Sequence, residues 1–201
     1  MARLLLFASW TAGDAALWNS RWMARQTARL STLATEVLDG ERAVRAVLET
    51  ALDHRDMVGV ALFGHGRPHA VLGADGREAL DADNAERLGA RWAHLVACNT
   101  GQELVTGCAS CPGLFVGYSV SLVVEWTLED LTEDLQERLA RLVTATTFGL
   151  LAGERAKSDL QRRASAAADD LVDWVNDNAE GGYLGLCVLA QQLVERMVVS
   201  R

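Results

Sequence analysis

Short apolar runs of strand length recur through the first two thirds of this chain, separated by stretches with helical spacing. That alternation constrains the fold more than any other feature. Leu4 to Ala8, Val58 to Phe63, Trp92 to Ala97 and Leu114 to Tyr118 are apolar almost without interruption, as expected of strands covered on both faces. Leu122 to Trp126 reads as a fifth strand. After the first run, a polar, glycine-containing loop extends through Asn19. Helical spacing then appears at Leu30, Leu33 and Val37. It resumes at Val44, Val47, Leu48 and Leu52 beyond a stop at Asp39-Gly40. Asp83-Asn-Ala-Glu86 has a capping-box pattern and predicts a short helix to about Ala90. Strands alternating with helices predict an α/β fold, a mostly parallel sheet flanked by helices. In such sheets reactive groups collect at the carboxyl ends of the strands.

The character changes at Thr127. Thr127-Leu-Glu-Asp130 offers another capping box, followed by a helical stripe at Leu128, Leu131, Leu135, Leu139 and Leu142. Leu160, Ala164, Ala167, Leu171 and Trp174 form a second stripe. Gly181-Gly182 separates it from a last apolar helix, Tyr183 to Val199. The organisation expected is a core over residues 1–126 and a helical C-terminal third, 127–201, packed on it.

Composition narrows the function classes. A formal charge of −8 argues against a nucleic-acid partner, which needs a basic face to neutralise phosphates. Four cysteines in a chain of 201 residues do not make a disulfide scaffold, which belongs to small secreted domains. Reduced thiols and a cytoplasmic location are the expectation. Cys108-Ala-Ser-Cys111 has no second CxxC and no histidine pair to complete a zinc site, so no metal and no cofactor are expected. The apolar start, Leu4 to Ala8, is too short for a secretory signal, with Asp14 arriving early. No segment is apolar for long enough to span a bilayer.

Two consecutive apolar runs end in side chains capable of chemistry. Phe63-Gly-His65-Gly66 places a histidine between glycines, and Ala97-Cys98-Asn-Thr-Gly101 places a cysteine just past the next run. If those strands are parallel neighbours, their ends lie about 5 Å apart, and both side chains face one cleft. A thiol beside an imidazole is a nucleophile with its proton partner. The N–H groups of Gly66 and Cys98 are candidates to receive a developing oxyanion.

The segments Leu62-Phe-Gly-His-Gly66 and Leu95-Val-Ala-Cys-Asn-Thr-Gly101, in that order and at that interval, resemble the HG and ACxTG signatures of CHAT domains. These belong with caspases, separase and metacaspases among the caspase-like cysteine peptidases. The resemblance covers roughly Arg3 to Trp126. It implies a caspase-like fold, His65 as general acid and Cys98 as nucleophile of a bacterial endopeptidase, in a family associated with defence and cell-death systems. In relatives the loop after the first strand and the strand after the cysteine line the pocket for the residue before the cut. Here those regions carry Asp14, Ser119 and Glu125, and an acidic pocket would select Arg or Lys. The expected partners are a protein substrate and, for control, an activating protein or a second copy of the chain. A non-catalytic scaffold of the same fold is the alternative. A serine hydrolase fits less well, because Gly117-Tyr-Ser119-Val-Ser121 lacks the second glycine of a nucleophile elbow. His54, His69 and His94 read as ordinary surface or core histidines.

Overall fold

The computed structural model of the chain describes residues 1–10, 14–124, 126–178 and 183–200. A six-stranded sheet runs through its centre. In chain order its strands are β1 (Arg3–Ala8), β2 (Ala34–Asp39), β3 (Met57–Gly64), β7 (Trp92–Ala97), β8 (Leu114–Tyr118) and β9 (Met197–Val199). The spatial order is β2-β1-β3-β7-β8-β9, and every pair is parallel except β8 with β9. A separate three-stranded antiparallel sheet, β4 (Gly66–Arg67), β5 (Ala70–Leu72) and β6 (Glu78–Asp81), is built within the connection from β3 to β7.

The central strands are apolar on both faces because helices cover both. Along β1, Leu4, Leu6 and Ala8 point to one side and Leu5 and Phe7 to the other. The first side packs against α1 (Ala15–Leu30), α5 (Glu133–Leu151), α6 (Lys157–Asn178) and α7 (Leu184–Glu195). The second packs against α2 (Arg45–Leu52), the small sheet, α3 (Ala82–Ala85) and α4 (Leu104–Gly107). Among the described residues no helix is long and apolar enough to cross a membrane.

Four local expectations are corrected. The stretch through Asn19 is not a loop: α1 begins at Ala15, capped by Asp14, and the 30–37 region divides between the end of α1 and strand β2. The helix at 82 is capped by Asp81, whose side chain accepts from the N–H of Asn84, while Asn84 bonds back to the Asp81 N–H. The long C-terminal helix α5 is capped by Thr132, five residues beyond Thr127. The final apolar stretch is helix only to Glu195, after which the chain returns to the sheet as β9. The Gly181-Gly182 separator lies outside the described residues.

The strand order creates a crevice. From β1 the chain goes to β2 on one side, whereas from β3 it goes to β7 on the other. The loops leaving β1 and β3 therefore diverge at the point where open α/β sheets accommodate ligands.

Candidate active site

The register places the two candidate residues level with each other. Gly64 of β3 pairs with Ala97 of β7, so His65 and Cys98 leave adjacent parallel strands at the same height. The turns that follow are held by backbone contact. A Cβ on Gly66 would lie 2.3 Å from the Cys98 carbonyl oxygen and 2.8 Å from the Cys98 nitrogen, and one on Gly64 would lie 2.0 Å from Ser9 Oγ. The glycines beside His65 are thus required by close approach: the backbone of Gly66 rests on that of Cys98. Directly after Cys98, Asn99 adopts φ 61°, a left-handed conformation uncommon outside glycine. It turns the chain sharply off β7. Thr100 Oγ1 donates to the Ala97 carbonyl (3.1 Å) and stabilises that corner.

His65 and Cys98 share one narrow pocket of about 20 Å³, with Leu17, Val96 and Leu122 among its walls. That is room for about one water. His65 Nε2 lies 2.7 Å from Asp14 Oδ2. A carboxylate only accepts, so Nε2 carries the hydrogen and Nδ1 is the nitrogen left for chemistry. Asp14 comes from the end of the loop after β1 and caps α1, its Oδ1 accepting from the N–H groups of Ala16 (3.0 Å) and Leu17 (3.3 Å). The hydrogen bond from His65 holds the Asp14 carboxyl below the usual carboxylate range. Burial opposes this, and the helix N–H groups assist it. Both Asp14 oxygens are engaged, one by His65 and one by the helix.

Ser119 is bonded to the end of α7. The N–H and Oγ of Ser119 both donate to the Arg196 carbonyl, at 3.0 and 3.4 Å, and Glu125 is outside the described residues. Sequence reasoning assigned Leu122 to Trp126 to a fifth strand. Residues 119–124 form instead a strip that has no ladder in the sheet and lies along the Cys98 corner. The Leu122 N–H donates to Cys98 Sγ at 3.3 Å. Asn19 of α1 fastens the far end, its Nδ2 donating to the carbonyls of Val124 (2.8 Å) and Trp126 (3.1 Å).

The remaining candidate groups have structural partners. His94 is buried between Thr147 of α5 (2.8 Å) and the Tyr118 hydroxyl (2.9 Å). Burial pulls its pKa down to about 3, so it is neutral. His69 pairs with Glu78 on the surface at 2.8 Å. None of the four cysteines is in a disulfide. Burial, with Cys111 beside it, pushes the Cys108 thiol up to about 12. Among the described residues no group of three or more His, Cys, Asp or Glu side chains could hold a metal ion.

No protein-family model matches the sequence, and no curated protein matches it. The fold has a match among solved structures, the crystal structure of the Arg-specific cysteine proteinase gingipain R. The TM-score is 0.55 at 12% sequence identity, over 98% of this chain and 45% of that one. This chain therefore spans less than half of that structure's length, and what the two share is the caspase-like α/β fold.

Proposed function

We propose that this protein is a caspase-like cysteine peptidase in which Cys98 is the nucleophile, His65 moves the proton and Asp14 orients His65. The observation that carries the reading is a single juxtaposition. A thiol and an imidazole leave neighbouring parallel strands at one level and line one pocket, and the far nitrogen of the imidazole is held by a carboxylate.

The chemistry follows from the atoms. His65 Nδ1 takes the Cys98 proton, and the sulfur forms a bond to the carbonyl carbon of the scissile peptide. The carbonyl π electrons move to oxygen, and the backbone N–H groups of Gly66 and Cys98 are the nearest candidates to receive that charge. The C–N bond then breaks, and the proton on Nδ1 passes to the leaving amine. A water deprotonated by Nδ1 cleaves the resulting thioester and releases the acid and the thiol. Asp14 holds the ring with Nδ1 towards the pocket and balances the charge that the ring carries between steps.

The HG and ACxTG likeness to CHAT domains agrees with this assignment and supports a dedicated protein substrate, with a bacterial defence or cell-death role as the family context. A basic residue before the cut is supported by the acidic charge of the chain and by the Arg specificity in the name of the structural neighbour. Peptidyl chloromethyl ketones with Lys, Arg, Leu or Asp next to the warhead test the reading. Alkylation confined to Cys98, fastest for Arg and Lys and lost in His65→Ala, is the expected result. Labelling spread over Cys111 and Cys187, at rates indifferent to His65, would refute it.

A further inference from the structure

We infer that Gln192, on helix α7 in the C-terminal third, is a positioning residue for the Cys98 thiol. The inference rests on the peptidase reading for its functional meaning, but its geometry stands apart from that reading. The strip 119–123 belongs to no ladder of the sheet and bonds on two sides. On one side it bonds to the end of α7. The Ser119 N–H donates to the Arg196 carbonyl (3.0 Å), Gln192 Nε2 donates to the Ser121 carbonyl (3.1 Å), and the Val123 N–H donates to Gln192 Oε1 (2.8 Å). On the other side it bonds to the corner after Cys98, where the Ser119 carbonyl accepts from Gln102 Nε2 (2.9 Å) and Ser121 Oγ accepts from Asn99 Nδ2 (3.2 Å). The Val120 carbonyl accepts from the Asn99 N–H (2.9 Å), and the Leu122 N–H donates to Cys98 Sγ (3.3 Å).

One amide side chain therefore brackets Leu122 from both sides, and the N–H between its two bonds is the one directed at the sulfur. An amide suits the position because it must donate to one peptide group and accept from the next. A carboxylate or an ammonium would do only half of this. The strip has no neighbouring strand to fix its register, so the side chain replaces the missing ladder.

Gln192 is itself held in place. The Arg196 N–H donates to its carbonyl at 3.1 Å. β9 then pairs with β8, and Ser200 closes the end, its N–H donating to the Phe115 carbonyl and its Oγ accepting from the Phe115 N–H, both at 3.0 Å. Gln161 of α6 donates to the Val194 carbonyl at 2.9 Å. The helical third is thus joined to the nucleophile by one short path: α7, Gln192, Leu122, Cys98. The N–H at the end of that path donates to the sulfur that carries negative charge when it attacks, so Gln192 acts on the thiol through the strip and does not touch the substrate.

The experiment is the rate of iodoacetamide alkylation at Cys98 at pH 7, read by peptide mass spectrometry on the full chain. Wild type, Gln192→Ala, Gln192→Met and Gln191→Ala are compared, with Cys187 as a reference thiol in the same samples. Gln191 is next along the helix, and its side-chain amide donates to Glu195. A hydrogen bond to a charged group of this kind corresponds to about a tenfold effect. The expected result is about tenfold slower alkylation of Cys98 in both Gln192 variants, with Gln191→Ala and the Cys187 rate unchanged. Gln192→Met keeps the length and packing of the side chain, so it answers the question if Gln192→Ala does not fold. Unchanged or faster alkylation in the folded variants would overturn the inference, because loosening a mere cover exposes the sulfur and speeds its reaction. The readout needs no peptide cleavage. Slower alkylation without any peptidase activity would keep the role of Gln192 and discard the peptidase, and the reverse pattern would do the opposite.

Discussion

At the scale of single residues, the site depends on two close contacts that can be tested separately. Asp14 has two duties, on His65 and on the start of α1. Asp14→Asn retains a cap but removes the charge opposite the ring. It should lower kcat at least tenfold with KM little changed. Asp14→Ala should in addition cost about 1 kcal/mol of stability from the lost cap, measurable by urea unfolding. Gly66→Ala introduces a methyl group 2.3 Å from the Cys98 carbonyl oxygen, where backbone faces backbone. A destabilisation of about 1–3 kcal/mol and loss of Cys98 labelling by a peptidyl ketone are expected; wild-type stability would mean that this corner is looser than described. Both cysteine and histidine were legible from sequence because each ends an unbroken apolar run. Asp14 was legible as a resident of the neighbourhood, but its partner was not: nothing in the spacing distinguishes a carboxylate facing a substrate from one facing His65. Gln192 gave no signal at all, because a glutamine nearly a hundred residues from the thiol acts through a backbone N–H that has no sequence signature.

At the scale of elements, continuous hydrophobicity made the central strands readable. β7 and β8 fall on the predicted boundaries because cover on both faces keeps them apolar, His94 excepted. β2 was hidden because most of its residues, at the edge of the sheet, are only half buried. Helix α1 was hidden by its buried Asn19, Ser20 and Thr27, which bond to backbone carbonyls and break the apolar stripe. β9 follows α7 after a single residue, and three apolar residues cannot be told from another helical turn by pattern. One buried tie between elements has a pH signature. His94 of β7 joins Tyr118 of β8 to Thr147 of α5, with a pKa of about 3 in the folded state against an ordinary 6.5. Between those values the unfolded chain binds the extra proton, so stability is full above pH 6.5 and falls as the pH drops towards 3, by up to about 1.4 kcal/mol per unit. Urea midpoints at pH 4, 5, 6 and 7 check this. His94→Gln should flatten that acid limb while lowering stability at pH 7, and an unaltered limb would assign the acid sensitivity to other groups.

At the scale of the molecule, the C-terminal third does more than cover one face of the sheet. It closes the β8 edge with β9, buries Leu186, Leu189 and Leu193 in the same core as β1 and β3, and holds the strip beside Cys98 through Gln192. A chain ending at residue 183 should therefore expose an unpaired strand edge and an apolar face together, and run as aggregate on size exclusion; a well-behaved monomer would show that α7 and β9 are accessory. The catalytic assignment is tested most directly by cleavage of a mixed peptide library, with products read by mass spectrometry. Wild type, Cys98→Ala and His65→Ala are compared, each confirmed as folded. The result expected is cleavage by wild type alone, with Arg or Lys enriched before the cut. Cleavage that survives in Cys98→Ala would contradict the assignment of the nucleophile. A library left intact by a folded wild type, over a range of protein concentrations, would contradict the peptidase and leave the caspase-like fold as a scaffold.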